Sequence, residues 1–332
     1  MPFHREQPSL LPSIVHDRTR PLSQAIAVAL AFYLIAGTIE ASLIRIVQPT
    51  EMELDWVSDM VLSAALGTAV YLWLHLRATR LALTERERSQ LVIQTQLSLA
   101  EGMQRRLLPP IPTPASGFEW AATLTPAGKI GGDFYDFVEP APNVRLMLVA
   151  DVSGKGISAA MALTLLRATF RQIARETHDP AQLAARMSKE FFDEWHGSPY
   201  VTGVIARIDL SDRVLTYTNA GHPPGLLVRG NGTRDLWEGG PPLGLLEHAD
   251  YREERLALTT DDVCILMTDG ITESFDSLST SLASVVAGLA SQRQRSASHI
   301  CDAMMARAVE GSGPSGVEDW TDDRTVVVVT VH

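Results

Sequence analysis

Four acidic positions are set apart from the rest of this chain by their surroundings. Asp133 opens the run "DFYDFV" directly after two glycines, and Asp151 closes "RLMLVAD" before the turn "VSGKG". Asp269 closes "VCILMTD" ahead of Gly270, and the pair Asp322–Asp323 opens "RTVVVVTV". A single strand-end Asp beside glycine is an ordinary turn residue. Four in the same context are a pattern, because strand ends are where side chains of neighbouring strands converge on one rim of a sheet. Carboxylates crowded there repel one another unless cations lie between them. All-oxygen donors select hard divalent ions, Mg2+ or Mn2+, and no His/Cys set with zinc-site spacing is present. Two such ions would activate water and clamp a phosphoryl group for in-line attack, so no covalent nucleophile is required.

The elements that must position these acids are short β-rich runs and helical blocks. Strands are expected at "FEWAATLTP", "FYDFVEP", "RLMLVAD", "YVTGVIARIDL", "RVLTYTNA", "GLLVR", "ERLALTT", "DVCILMTD" and "RTVVVVTVH". Helices are expected over 156–176 and 180–195, with another pair across 280–310. Strands, two helices, many strands, two helices and a last strand make an α+β pattern with much antiparallel pairing, not a strict βαβ alternation. The Ser/Ala-rich stretch 270–300 leaves its own conformation open. Cys264 lies in an apolar run and reads as a small buried thiol. Neither it nor Cys301 has a ligand-like spacing, so no disulfide framework is implied and a reducing compartment fits.

The first hundred residues have a different texture. Residues 22–39 carry no charge, and neither do 60–76, apart from the titratable His75. Such lengths approach what a ~30 Å hydrocarbon core needs. Arg5, Arg18 and Arg20 precede the first segment, and Arg77, Arg80, Arg86 and Arg88 follow the second. The connector between them holds Glu51, Glu53 and Asp55. That asymmetry predicts a hairpin with both termini cytosolic, and hence a multi-pass protein of a bacterial inner membrane. The competing reading is two buried helices of a soluble domain. Expected boundaries are a cytosolic tail over 1–21, a transmembrane hairpin over 22–76, a helical linker over 77–108 and a folded domain over 109–332. In the linker, Leu83, Ile93, Leu97, Ala100 and Leu107 fall on one seam interrupted by Arg86 and Gln90. It reads either as a solvated amphipathic helix or as a short parallel coiled coil pairing two copies into a homodimer. Pro109 and Pro110 end it.

The motifs "GGDFYDF", "ADVSGKGISAAM", "NAGHPPGLLV", "LMTDGITES" and "DDRTVVVV", in this order, resemble the SpoIIE-type branch of the PPM (type-2C) serine/threonine protein phosphatases. The resemblance covers roughly 105–332. It implies a PPM-type β-sandwich flanked by helix pairs in αββα layers, here preceded by the two-helix hairpin and helical linker, with two Mn2+ or Mg2+ ions at the sheet rim. Carried over by motif, Asp133 and Asp151 would be metal ligands, with Asp151 the bridge and the Val152 carbonyl a further donor. Asp269 would hold one ion and Asp322 the other position, with Asp323 its neighbour. The implied activity is hydrolysis of phosphoserine or phosphothreonine on a regulatory protein, typically a STAS-type anti-sigma factor antagonist. The rival from another class is a catalytically silent phosphatase-like relay at the membrane that binds a partner.

Two departures from the wider family stand out, and one is that no phosphate-gripping arginine is evident near the N-terminal strand. Where its eukaryotic branch has a histidine in the first turn, this chain has "DVSGKG", so no general acid for the leaving oxygen is visible there. His222 in "NAGHPP" reads as part of a structural turn or as a catalytic group, and Lys155 as a solvated lysine or a phosphate contact. "GGDF" resembles the diguanylate cyclase signature, but a cyclase gives no role to the later acids. "SGKG" lacks P-loop spacing. A net charge of −11 excludes a broad nucleic-acid-binding face.

Overall fold

The computed structural model describes residues 55–332 except 129–130, 155, 231, 277–280, 291–295 and 311–321, together with Ala31, Ile35 and Gly37. The chain divides into two compact units, 1–93 and 94–332.

In the first unit, the expected segment 22–39 lies outside the described residues apart from the three just named, which are helical. The second segment lies in α1 (Asp55–Leu107), a continuous helix with no break at the expected 76/77 boundary. Among the described residues, one stretch within it, Val61–Gln96, is long and apolar enough to cross a membrane. Val61, Leu62, Leu72, Trp73 and Leu76 are all more than half exposed along it. The helix stops two residues before Pro109, as the constraint on residues preceding proline requires.

In the second unit, β1 (Phe118–Thr125) is followed by a hairpin of β2 (Asp133–Ala141) and β3 (Val144–Val152). Two helices come next, α2 (Ile157–Ile173) and α3 (Pro180–Trp195). The α3 start is fixed by Asp179, whose carboxylate accepts from the Gln182 N–H at 3.0 Å, and by Pro180 in the first turn. Then come β4 (Val201–Asp209), β5 (Val214–Ala220), β6 (Gly225–Arg229), β7 (Gly232–Leu236), β8 (Gly239–Gly240), β9 (Glu254–Ala257) and β10 (Val263–Met267). Three helices, α4 (Asp269–Asp276), α5 (Leu282–Ala290) and α6 (Ala297–Glu310), precede β11 (Arg324–Val331).

The strands form two sheets. One runs β1-β11-β10-β6-β7, the other β2-β3-β4-β5-β8 with β9 also on β5. Apart from the short β5/β8 contact, the ladders are antiparallel. The sheets pack face to face through Trp120, Tyr135, Met147, Val204, Tyr217, Leu266 and Val327. The outer face of the second sheet is covered by α2 and α3 through Leu148, Leu163, Phe170 and Phe191. The outer face of the first is covered by α4–α6 through Ile265, Ile271, Ile300, Met304 and Val328.

This four-layer arrangement explains the unbroken valines of β11. Val327 and Val329 point between the sheets, whereas Val326 and Val328 point at the helices. A strand buried on both faces has no polar alternation, and each such side chain contributes roughly 1.5–3 kcal/mol of burial. The αββα sandwich expected from the motifs is present. The details that differ from expectation are that β7 and β8 occupy stretches not read as strands and that Asp269 opens helix α4 instead of closing β10. An acid in a helix's first turn is favoured by the helix dipole.

Candidate metal centre

The β2–β3 hairpin places the first two acids. Asp133 and Asp151 face each other directly in register at its open end. Asp133 is buried, at 1% exposure, and Asp151 is half-buried. The closeness depends on Gly132, where an added Cβ would lie 2.6 Å from Asp151 Oδ1 and 2.8 Å from the Val152 carbonyl oxygen. Gly132 O also accepts from Val152 N–H at 3.0 Å. After Asp151 the chain is pinned where Ser153 N–H donates to Tyr200 O at 2.9 Å and Tyr200 N–H donates to Ser153 Oγ at 2.9 Å.

The other sheet supplies the second wall. Beyond the last β10–β11 pair, Thr268 N–H donates to Thr325 O at 3.1 Å and Thr325 N–H donates to Thr268 Oγ1 at 3.0 Å. Both hydroxyls then donate to one oxygen of Asp133, Oδ2, at 2.7 Å from Thr268 and 2.6 Å from Thr325. Asp133 thus ties the rims of the two sheets together. Asp269 follows Thr268 and accepts from the Gly270 N–H at 2.9 Å. Gly270 has no room for a Cβ, which would run into the Asp323 backbone carbonyl.

Asp322 and Asp323 have different surroundings. Asp322 is half-buried and its Oδ1 accepts from the Asp323 N–H at 3.0 Å. Asp323 is buried and its carboxylate accepts from backbone N–H groups of Ala127 at 2.7 Å, Gly132 at 2.6 Å and Asp133 at 3.4 Å. Asp323 therefore clamps the turn leading into β2.

The electrostatics follow from the crowding. Burial holds the Asp133 carboxyl well above the usual carboxylate range, and the Asp151 and Asp323 charges add to the rise against the two threonine bonds. Burial also raises Asp269, followed by the charges of Asp322 and Asp323. Carboxylates raised by burial and mutual repulsion, with oxygen donors beside them among the described residues, fit a hard divalent ion in kind. Among the described residues no three His, Cys, Asp or Glu side chains already close around a single point. The fit therefore rests on donor chemistry and the shared rim. A cation placed there would relieve the repulsion and hold the ionised forms.

The remaining sequence candidates fall as follows. His222 is buried behind the rim. Its backbone N–H donates to Asn219 Oδ1 at 2.7 Å, and Asn219 Nδ2 donates to its carbonyl at 2.9 Å. Its Nδ1 lies 2.9 Å from Oγ1 of Thr202, the cross-strand partner of Asp151. Its Nε2 faces the Met267 backbone without a well-formed hydrogen bond. This is a turn that buttresses the hairpin wall from behind. Lys155 lies outside the described residues.

The sequence reading passed over Thr268 and Thr325, although each stands inside a quoted motif and two residues or fewer from an acid. It also passed over Asp136, fully buried in "GGDFYDF", which receives both Nε and Nη2 of Arg171 at 2.7 Å and so latches α2 to β2. The signal for that pair was a second acid three residues after Asp133, which strand alternation turns to the opposite face of β2, towards the helices.

Comparison with known proteins places this site in context. The family described as Stage II sporulation protein E (SpoIIE) matches residues 142–332. The phosphoserine phosphatase RsbU of Bacillus subtilis (strain 168) is 27% identical over 183 residues, 54% of this chain and 54% of RsbU. The chain therefore spans about half the length of that relative. Among solved structures, the SiaA-PP2C domain of Pseudomonas aeruginosa superposes with a TM-score of 0.60 at 21% identity, covering 74% of this chain and 99% of that one. RsbX in complex with magnesium superposes with a TM-score of 0.51 at 15% identity, covering 66% of this chain and 98% of that one.

Proposed function

The chain belongs to the SpoIIE family, and from that premise we propose that it is a metal-dependent phosphoprotein phosphatase. The substrate class is phosphoserine or phosphothreonine on a small regulatory protein, with a STAS-type anti-sigma factor antagonist as the first candidate. Supporting this are the name of RsbU as a phosphoserine phosphatase, the magnesium in the RsbX structure and the PP2C fold of the SiaA domain. The observation that carries the reading is that acids from two different sheets share one rim, joined through Asp133 and its bonds to Thr268 and Thr325.

Asp133, Asp151, Asp269 and Asp322, with the Val152 carbonyl, are the groups we assign to two Mn2+ or Mg2+ ions. When bound, such ions supply Lewis-acid activation of water and neutralise charge on the phosphoryl oxygens. The chain's own residues orient these groups. Thr268 and Thr325 hold one Asp133 oxygen in place and leave the other for ligation. Gly132 lets the Asp151 carboxylate and the Val152 carbonyl approach the β2 entry. Asp323, its carboxylate engaged by three backbone N–H groups, serves as the clamp of the turn more than as a ligand. Asp133 is buried at this rim, whereas Asp151, Asp269 and Asp322 are half-buried and open to the substrate side.

For the N-terminal unit we propose a membrane hairpin over 22–76 with both termini and the phosphatase domain cytosolic, a linker over 77–108 and pairing of two copies through it. Supporting it are the arginine-rich flanks, the acidic connector and the exposed apolar side chains of α1. Loss of a phosphate removes roughly 1.5 to 2 negative charges from the substrate protein, enough to restore a buried docking surface.

The test uses the full-length chain in mild detergent with a serine-phosphorylated STAS-type protein. Phosphate release should require Mn2+ or Mg2+ and stop when the metal is chelated. Tight binding of the phosphoprotein with no release under either metal would instead establish the silent relay.

A further inference from the structure

The turn that feeds Asp133 into β2 is held from three sides. Gly132 N–H donates to Asp323 Oδ2 at 2.6 Å, and Gly132 O accepts from Val152 N–H at 3.0 Å. The third hold comes from the last turn of α1. There Gln104 Nε2 donates to Gly131 O at 2.8 Å, and Gly131 N–H donates to Gln104 Oε1 at 3.1 Å. One carboxamide thus satisfies both polar groups of a single buried glycine, 27 residues along the chain. Gly131 cannot carry a side chain to fasten itself, because a Cβ there would run into the Asp323 carboxylate. The turn depends on groups brought from outside it. Leu107 and Leu108, just beyond Gln104, pack against the core clusters of the same unit and fix where the carboxamide stands.

We propose that Gln104 is a positioning residue for the metal centre. Its carboxamide locks the Gly131–Gly132 turn in the shape that sets Asp133 against Asp151 and Asp323, so divalent-ion affinity depends on the end of α1. The inference rests on the metal-centre reading above. Gln104 itself touches neither ion nor substrate in this assignment. A partner group that orients a ligand without binding the ion is worth about tenfold or more in metal affinity. The end of α1 thus acts on the turn before the first acid.

The experiment measures Mn2+ affinity of the full-length chain in detergent, by calorimetry and by loss of the free-ion electron paramagnetic resonance signal. Four variants are compared with the parent: Gln104→Met, Gln104→Ala, Gln96→Met and Asp151→Asn. Both Gln104 variants should weaken Mn2+ binding about tenfold, and the deficit in turnover at limiting Mn2+ should shrink as the metal is raised. Met keeps the volume and loses both bonds, so equal shifts in Met and Ala assign the effect to the clasp. A shift in Ala alone overturns it in favour of packing. Gln96→Met, exposed and about two turns earlier on the same helix, should bind as the parent does. Parent-like affinity in both Gln104 variants, with binding lost in Asp151→Asn, overturns this inference and leaves the metal centre standing. Parent-like affinity in Asp151→Asn overturns the metal centre itself.

Discussion

The two walls of the acidic rim are built by different means. Asp133 and Asp151 sit on adjacent strands of one hairpin, and their opposition is one step of a ladder that continues to Val138 and Leu146. Asp269, Asp322 and Asp323 stand at a helix start and at the entry to a strand, outside any ladder. Their positions come from hydrogen bonds that reach across sheets: Thr268 and Thr325 onto Asp133, and Asp323 onto Ala127, Gly132 and Asp133. One wall is fixed by strand register and the other by side-chain clasps. Register cannot slip by one residue without turning every side chain over. A clasp can be removed one bond at a time.

The largest expected effect tests whether both walls work as ligands. Asp151→Asn and Asp269→Asn should each lower phosphatase turnover by more than about a hundredfold at fixed Mn2+, since even groups that merely orient ligands cost 10–100-fold. Steady-state phosphate release from one phosphoprotein substrate measures both. If Asp151→Asn abolishes turnover and Asp269→Asn keeps half of it, the second wall is scaffold and the comparison collapses to a single hairpin.

Next in size is the latch behind the hairpin wall. Asp136 is fully buried, and its charge is balanced by the bidentate Arg171, whose guanidinium that carboxylate in turn holds above its usual range. Arg171→Met removes the partner and leaves the carboxylate buried. Breaking such a pair costs about 3 kcal/mol or more, read as a lower midpoint in denaturant unfolding. A double variant with Asp136→Leu should recover much of that loss. No recovery would mean Arg171 acts through packing of its stem alone.

The difference between the walls also explains what could be read from the sequence. The strands were legible because burial leaves long apolar runs, such as the β11 valines, and the sandwich followed only from the family resemblance carried by the motifs around the acids. Asp323 was readable only as a metal-ligand candidate beside Asp322, not as a clamp of the turn. That its carboxylate gathers three N–H groups of a turn some 190 residues away is a tertiary fact with no local pattern. Gln104 is hidden for the same reason: in "EGMQRRLL" it is one polar residue of a helix, and nothing in its spacing points at Gly131. The helical start at Asp269 was masked by the apolar run before it, which supports a strand right up to Met267.

His222 gives a pH test of the support behind the first wall. Burial lowers its imidazole to about 4 from the ordinary 6.5. The unfolded chain therefore takes up a proton near pH 6.5, whereas the folded chain resists until about pH 4. The stability gained by keeping this ring neutral is full above about pH 6.5. It is lost steadily as pH falls from there to about 4, by roughly 3 kcal/mol in total. His222→Asn should be less stable than the parent at pH 7.5, with the difference shrinking towards pH 4.5. Urea unfolding at four or five pH values measures it. A constant difference would mean the ring titrates normally and leaves Thr202 unsupported.

The smallest effects come from one substitution placed in two settings. At Gly270, beside the second wall, a Cβ meets the Asp323 backbone carbonyl, and backbone cannot rotate away as a side chain can. Gly270→Ala should cost about 1–3 kcal/mol, the range for overpacking, and should weaken Mn2+ binding with it because Asp323 must move. At Gly288, inside α5, nothing lies within 4 Å of the same atom. There alanine removes only the flexibility of a helical glycine, so Gly288→Ala should stabilise by about 0.5–1 kcal/mol and leave Mn2+ binding where it was. Opposite signs in thermal unfolding, with metal affinity changed in one variant alone, would tie the second wall to the packing of Gly270 against Asp323. Equal signs would place the tolerance of the rim well above what its close contacts imply, and would make the clasped wall the softer of the two.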